Sequence, residues 1–460
     1  MKFLSDKLNT PIDSFDLLLK FNSFLLIYVS FFTTRIPFDA GNYADSFGGE
    51  VSNVKNQIVY LFLFFSSMVV FVKRYDQILT YIRAEKFLAI FVLICLASAL
   101  WTDYPQLSIK RSFQLFVTYI VVVESILNIE PKVLLKQLLI VVSLYVFISL
   151  ISTRISPYAI DPRFGTWRGI EMHKNHLAQT GIYCLLSSII FFHFAQSKWT
   201  KIYNLVLMLS SVFLIYKAHS SSAVIVVAMI VFLGFIFYLE SIFNILKIGR
   251  SVLGFTFLLF LCLTFVFLIF SSEVFGLVPG YFGKDMTLSG RVPIWEYVGT
   301  EIDKKLFLGY GFAAYWIMGS TRILLFADYF EGFKVNQAHN GYLEIVLQLG
   351  VIGFIFFLFL LSAYIYRMFK VNSNLIIIVL ISMLTLNFTE SVLFKVGLGV
   401  TTFYFFAAYT LVSYLYLHPI ELDSNEPVYL INNANSNRYK NALKQTNSSS
   451  RNFLKEGSRY

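Results

Sequence analysis

The apolar stretch at residues 341–366 reads GYLEIVLQLGVIGFIFFLFLLSAYIY and carries one charged side chain, Glu344. A helix needs roughly 20 apolar residues to cross a bilayer, so this stretch predicts a membrane-spanning helix. We therefore expect an all-α integral membrane protein, in which residues 1–420 form a bundle of about 12 transmembrane helices. The predicted spans lie near 16–34, 56–72, 87–102, 112–128, 133–153, 176–195, 201–217, 221–240, 251–270, 341–366, 375–393 and 397–417.

Composition favours the same class of protein. Of the 460 residues, 57% are hydrophobic and 14% are charged, and a soluble domain could not keep so much apolar surface from water. The net charge of +10 comes from basic residues between the apolar runs. This pattern is typical of membrane topology, so we expect no nucleic-acid partner. Cys95, Cys184 and Cys262 lie inside apolar runs and match no metal-binding spacing.

Lysine and arginine residues mark every second loop. Because short cytoplasmic loops carry the excess of basic residues, both termini are predicted to be cytoplasmic. Residues 421–460 are rich in Asn, Ser and Lys and are predicted to form a disordered cytoplasmic tail that touches membrane lipid. The basic residues of the predicted inner loops are Lys73, Arg74, Arg83, Lys86, Lys132, Lys136, Lys198, Lys201, Lys247, Arg250, Arg367 and Lys370.

Two of the predicted outward loops contain the most distinctive polar residues. The first holds RFGTWRGIEMHKNH at residues 163–176, and the second, at 271–340, holds TLSGRVPIW, LGYG and QAHN. About 70 residues is long for a simple connection. Residues 292–308 have apolar side chains at near-helical spacing, so we expect this large outward (periplasmic) loop to contain short amphipathic helices that cap the bundle.

Five motifs follow one another along the chain. They are Trp101…Pro105…Arg111, GTWRGIEMHKNHLA at 165–178, LSGRVPIW at 288–295, LGYGF at 308–312 and AHNGYLEIVLQLGVIG at 338–353. In this order they resemble the O-antigen ligase and polymerase superfamily. The His-Lys-Asn segment before a helix is similar to the exopolysaccharide-polymerising branch. The resemblance covers about residues 90–400.

The resemblance implies a membrane glycosyltransferase that needs neither a metal ion nor a cofactor. Members transfer a glycan from undecaprenyl pyrophosphate to an acceptor hydroxyl at the outer leaflet of the bacterial inner membrane, so the active site is expected to face the periplasm. The implied partners are the undecaprenyl-pyrophosphate-linked glycan and an acceptor, which is a second glycan or lipid A-core. A chain-length regulator is a further implied partner.

Basic residues of the outward loops are candidates for binding the pyrophosphate. The leaving group gains negative charge, and arginine binds phosphate oxygens with a planar fork. Arg291 is the first candidate and Arg168 the second. The family places another Arg after a Ser-x-Ser stretch, but the segment KAHSSSA at 217–223 lacks it. The other substrate-binding candidates are Arg163 and Lys174 as competing cations, Lys217 as a substitute for the missing Arg, Asn175, and Trp295 as a sugar-stacking or interfacial residue.

His339 is the candidate for activating the acceptor hydroxyl, because imidazole titrates near neutral pH. Asn340 either fixes the turn or binds sugar hydroxyls. Glu344 lies about one helical turn onward and could orient His339. His173 and His176 have a spacing that metal ligands use, but a third ligand is missing, so we predict no metal site.

Three functions remain open at this stage. We favour an O-antigen or exopolysaccharide repeat-unit polymerase, which extends a second lipid-linked glycan. A ligase would instead load glycan onto lipid A-core or a protein. A polysaccharide transporter or flippase would place ionisable groups near the bilayer midplane, where Glu124 is the main candidate.

Overall fold

The computed structural model describes residues 14–32, 54–161, 165–243, 291–317, 320, 322–325, 337–394 and 399–419. We number its α-helices in chain order. They are α1 (Ser14–Phe31), α2 (Val54–Lys73), α3 (Tyr75–Ala84), α4 (Lys86–Ala97), α5 (Pro105–Asn128), α6 (Pro131–Ile155), α7 (Lys174–Phe194), α8 (Lys198–Ala218), α9 (Ser221–Phe243), α10 (Arg291–Lys304), α11 (Gly341–Val371), α12 (Asn374–Thr389) and α13 (Val400–Leu417).

Most of these helices have the length and composition of membrane spans. Among the described residues, eight helices are long and apolar enough to cross a bilayer, namely α1, α2, α6, α7, α8, α9, α11 and α13. The apolar helices at Lys86–Leu100 and Asn374–Thr389 are shorter. The prediction of an all-α, multi-pass membrane protein is confirmed. The run at 251–270 and the tail at 421–460 lie outside the described residues, so the total of about 12 spans stays a prediction.

Contacts between helix termini define a basic end of the bundle. Lys73, at the end of α2, places its Nζ 4.7 Å from the ring centroid of Phe15 at the start of α1. Gln137, near the start of α6, donates to the carbonyl oxygen of Lys20 in α1 at 2.8 Å. We call this the basic end, and the end that contains α10 and the start of α11 the opposite end. That the basic end is cytoplasmic stays a prediction.

Helix α11 is broken at Gly350, whose φ of 65° is left-handed. Backbone groups that such a break releases inside a membrane must find other partners. The segment that begins at Leu306 provides them, since Val351 N donates to Leu306 O at 2.8 Å and Tyr310 N donates to Leu347 O at 3.0 Å. The Leu-Gly-Tyr-Gly-Phe motif therefore packs against the break and satisfies its hydrogen bonds.

Helix α10 covers the opposite end of the bundle and overlaps the predicted amphipathic helix. Its Ile294 and Val298 side chains are buried in a cluster with Tyr310, Ala338 and Leu347. This packing joins α10 to the segment before α11. Much of the predicted loop at 271–340 lies outside the described residues.

Candidate functional site

Glu390 is the centre of a polar cluster at the opposite end of the bundle. It follows α12 directly and is 1% exposed. Its Oε1 accepts from Arg291 Nη2 at 2.8 Å and from Asn175 Nδ2 at 3.1 Å. Its Oε2 lies 3.0 Å from His339 Nδ1 and 3.4 Å from Gln337 Nε2. One buried carboxylate thus joins three separate parts of the chain.

Arg291 begins α10 and reaches the end of α12 with its guanidinium. One terminal nitrogen donates to Glu390 and the other to the carbonyl oxygen of Thr389. The Arg291 side chain is 19% exposed, whereas the Glu390 side chain is 2% exposed. Because arginine has five N–H donors, these two bonds leave it able to bind an anion from the exposed side.

His339 is held by its neighbours in a defined backbone conformation. Its φ is 50°, a left-handed value that non-glycine residues adopt only when the surroundings enforce it. Before it, Ala338 N donates to Glu344 Oε2 at 2.9 Å, and Ala338 O accepts from Trp295 Nε1 at 2.9 Å. After it, Asn340 caps α11. The His339 ring therefore projects from a loop that is fixed on both sides.

Asn340 is the N-cap residue of α11. Its Oδ1 accepts from Tyr342 N at 3.0 Å and from Leu343 N at 3.2 Å, as asparagine commonly does at a helix start. Its backbone N–H donates to Ser391 Oγ at 3.2 Å. Asn340 thus ties the start of α11 to the residues next to Glu390, which fixes the separation between His339 and its carboxylate partner.

Glu344 acts on the loop through three hydrogen bonds. Besides accepting from Ala338 N, it accepts from Trp316 Nε1 at 2.8 Å and from Gln348 Nε2 at 2.6 Å. The carboxylate next to the His339 ring is that of Glu390. Glu344 therefore positions the backbone before His339, and Trp295 supports the same peptide from α10.

Arg168 lies in the loop before α7. It forms an ion pair with Asp161, and both side chains are largely buried. The loop is further fixed by Arg168 N, which donates to Ala159 O at 2.7 Å, and by Trp167 N, which donates to Lys217 O at 3.0 Å. The Lys217 ammonium lies 5.7 Å from the Trp167 ring centroid. Lys217 therefore supports the Arg168 loop from the end of α8.

His173 links the Arg168 loop to the Glu390 cluster. It is the N-cap of α7, and its Nδ1 accepts from Asn175 N at 3.2 Å. Partial withdrawal from water lowers the pKa of His173; Glu390 opposes this shift, while Lys174, Arg168 and His339 add to it. Asn175, two residues after His173, donates to Glu390 Oε1 at 3.1 Å, so the start of α7 lies at the same end as His339.

The structure brings most of the candidate residues together, and it adds one that the sequence analysis missed. Arg163 lies outside the described residues. In the described part of the chain, no group of three or more His, Cys, Asp or Glu side chains could hold a metal ion. Glu390 was overlooked, although its signal was an acidic residue near the end of the apolar run predicted as the span at 375–393.

The remaining motif residues hold the loop that carries the site. Trp101 Nε1 donates to Leu308 O at 2.8 Å, and Arg111 donates to Ala313 O. Both bonds join the start of α5 and the turn before it to the segment packed against the break in α11. Their role in this structure is to fix that segment.

These features define a class of protein: a multi-pass α-helical membrane protein with arginine, histidine and a buried carboxylate at one end. Residues 203–358 match the model of the O-antigen ligase family. A match over 273 residues at 25% identity relates the chain to the exopolysaccharide production protein ExoQ of Rhizobium meliloti. Both similarities support the O-antigen ligase superfamily, the family that the motif series resembles.

The relatives differ in how much of the chain they resemble. The ExoQ match covers 58% of this chain and 61% of that protein, so the chain spans about three fifths of the length of that relative. A protein named as a candidate polysaccharide ligase in Rickettsia felis is 31% identical over 20% of this chain and 24% of its own length. A similar one in Rickettsia conorii is 36% identical over 21% of this chain and 23% of its own length.

Proposed function

We propose that this protein is a glycosyltransferase that moves a glycan from undecaprenyl pyrophosphate to an acceptor hydroxyl at the outer leaflet of a bacterial inner membrane. The observation that carries the proposal is the Glu390 carboxylate, which contacts both Arg291 and His339. A cation for the leaving group and a base for the acceptor are thereby held next to each other. The superfamily supports a polysaccharide ligase or polymerase activity for such a site.

His339 is proposed to accept the proton of the acceptor hydroxyl. With its proton on Nδ1, the ring donates to Glu390 Oε2 over 3.0 Å, and Nε2 becomes the basic nitrogen. The contact from Gln337 Nε2 to the same ring nitrogen is longer, at 3.2 Å, and lacks a charged partner. The carboxylate therefore determines the tautomer, and it also stabilises the imidazolium that forms during the reaction.

Arg291 is proposed to bind the pyrophosphate of the donor, with Arg168 as the second cation. The bond between the anomeric carbon of the glycan and the pyrophosphate oxygen breaks, and the oxygen keeps the electron pair. The guanidinium of Arg291 stabilises this growing charge. The acceptor oxygen forms the new bond to the anomeric carbon, and its proton passes to His339. No cofactor or metal ion takes part in this scheme.

The acceptor is proposed to be a second lipid-linked glycan, which makes the protein a repeat-unit polymerase. The name of ExoQ refers to exopolysaccharide production, and this observation favours the polymerase. The names of the Rickettsia relatives refer to polysaccharide ligation, and they keep a ligase acting on lipid A-core or protein as the second candidate. Cytoplasmic termini, a periplasmic site and a chain-length regulator as partner belong to the same proposal.

The test uses purified full-length protein supplied with one lipid-linked repeat unit. A ladder of chain lengths identifies a polymerase, and product that forms only after a core acceptor is added identifies a ligase. Arg291→Ala and His339→Ala should abolish both products. If these variants assemble normally and still make wild-type glycan, the assignment of Arg291 and His339 fails. If the purified wild-type protein makes no product with or without the core acceptor, the enzymatic proposal fails and transport becomes the better explanation.

A further inference from the structure

A second candidate site lies at the basic end of the bundle, at the end of α7 away from Asn175 and the residues of the glycosyl-transfer site. A cavity of about 280 Å³ opens between α6, α7 and α8. Two lysines, Lys132 and Lys136, contribute to its wall, and none of its lining residues is acidic. Leu135, Leu139, Phe191 and Asn204 also line it.

Asn204 is the most informative of the lining residues. Its side chain is 0% exposed, and neither its Nδ2 nor its Oδ1 has a hydrogen-bond partner within the part of the chain that is described. A buried carboxamide without partners costs free energy, and such groups are rare in folded proteins unless a ligand or water satisfies them. The cavity next to Asn204 is the place where such a partner can lie.

The two lysines indicate the charge of that partner. Lys132 and Lys136 lie four positions apart on α6, and both line the cavity. Residues at this spacing are neighbours on a helix surface, so one anion can lie within reach of both. The cavity lies near the starts of α6 and α8, which attract negative charge, and near the end of α7, which opposes it, so the two lysines decide the sign of the preferred ligand.

The apolar residues and the depth of the site indicate a lipid. Leu135, Leu139 and Phe191 line the same cavity as the lysines, so the site is basic on one side and apolar on the other. Asn204 lies six residues after Lys198, which is about 9 Å into the helix at 1.5 Å per residue. If α8 starts at the membrane surface, this depth is the border between the headgroup layer, about 5–8 Å thick, and the hydrocarbon core, where the glycerol oxygens of a phospholipid lie.

We propose that this cavity binds the phosphate headgroup of a net-anionic phospholipid from the leaflet at the basic end. The headgroup phosphate lies between Lys132 and Lys136, the Asn204 amide binds the headgroup or glycerol oxygens, and the first acyl carbons contact Leu139. Basic pockets between helices on the cytoplasmic side of membrane proteins bind lipids of this class. The proposal does not depend on the glycosyltransferase activity.

The test measures lipid binding to the purified full-length protein by native mass spectrometry. The probes are phosphatidylglycerol, phosphatidylcholine with the same acyl chains, and inorganic phosphate. We expect K132Q/K136Q to weaken phosphatidylglycerol binding about tenfold or more. Leu139→Trp, which fills the apolar side, should also weaken it. The matched control is K86Q/K370Q, which removes two charges from the same end away from the cavity.

Three results would overturn the proposal. Equal losses in K132Q/K136Q and K86Q/K370Q would mean that the basic end attracts lipid without a defined site. Equal binding of phosphatidylcholine and phosphatidylglycerol would mean that the cavity does not select net negative charge. Competition by inorganic phosphate at the concentration of the lipid would identify a site for a soluble anion.

Discussion

Replacing Glu390 by glutamine removes the charge from the centre of the proposed site and keeps its size. The carboxylate accepts from Arg291 at 2.8 Å and lies 3.0 Å from the His339 ring. A hydrogen bond between charged groups contributes about 1.5–3 kcal/mol. The carboxamide can neither select the His339 tautomer as strongly nor stabilise its imidazolium. We expect a loss of about 3 kcal/mol of transition-state stabilisation, which is about a hundredfold in kcat.

The binding of the donor should change differently from kcat. Glu390 and the pyrophosphate both bind the Arg291 guanidinium, so removing the carboxylate releases the cation for the donor. We therefore expect the KM of the lipid-linked donor to stay the same or fall in Glu390→Gln. A purely structural role for Glu390 would instead reduce the amount of folded protein and would not separate kcat from KM in this way.

The assay is the initial rate of glycan formation by purified protein over a series of donor concentrations. Glu301→Gln is the matched control, because Glu301 is also a buried carboxylate at the same end and accepts from Tyr310 Oη at 3.0 Å. Glu301→Gln should keep nearly the wild-type kcat. A wild-type kcat in Glu390→Gln, or an equal loss in Glu301→Gln, would refute the reasoning.

Three further changes test other parts of the structure. Arg291→Lys keeps the charge and loses the planar fork, so the donor KM should rise about tenfold in the same rate assay, and an unchanged KM would contradict the assignment. The pKa of His173 is lower in the folded protein than in the unfolded chain. As the pH falls, the His173 ring is therefore protonated first in the unfolded chain, and the free energy of unfolding decreases below a pH of about 6.5. His173→Asn keeps a capping side chain and should lose less thermal stability than the wild type between about pH 7.5 and 5.5; equal losses would contradict this origin. Gly350→Ala places a Cβ 2.2 Å from Phe307 O at a φ of 65°, so we expect a loss of about 2–4 kcal/mol of stability, and a wild-type melting curve would contradict the rigid break.

Hydrophobic patterning was sufficient to predict the helices. Eleven of the predicted spans coincide with helices of the structure, because about 20 consecutive apolar residues have few alternatives to a helix in a membrane. The break at Gly350 was not predicted, although it lies within the stretch that indicates the fold most clearly. A glycine in an apolar run carries no local signal for a break, since the partners that allow it come from residues 306–311.

The site was predicted in part, for a similar reason. Arg291 and His339 were proposed as site residues because their residue types suit the chemistry and their motifs are ordered; the structure places both next to Glu390, and their roles stay predictions. Glu390 belongs to no such motif. It contacts His339, which is 51 positions away, and Arg291, which is 99 positions away, so its place in the cluster cannot be predicted from local sequence. Asn340, expected to fix a turn or to bind sugar, lies at a helix start and serves as its cap. The short sequence separation suggested Glu344 as the carboxylate that orients the His339 ring. In the structure, the carboxylate next to this ring is that of Glu390.

Arg367 shows a structural role that the sequence did not reveal. The sequence analysis counted it among the basic residues of a predicted inner loop; in the structure it is 7% exposed and forms an ion pair with Glu85. It also donates to Ser413 Oγ at 2.9 Å, so it joins α11 to the α3–α4 junction and to α13. The positive-inside rule counts Lys and Arg near the ends of spans, and acidic residues contribute little to it, so Arg367 still supports the predicted orientation although it is buried in the folded protein. Labelling the basic end in intact membranes tests this orientation, and with it the leaflet that would supply the proposed lipid site at Lys132 and Lys136.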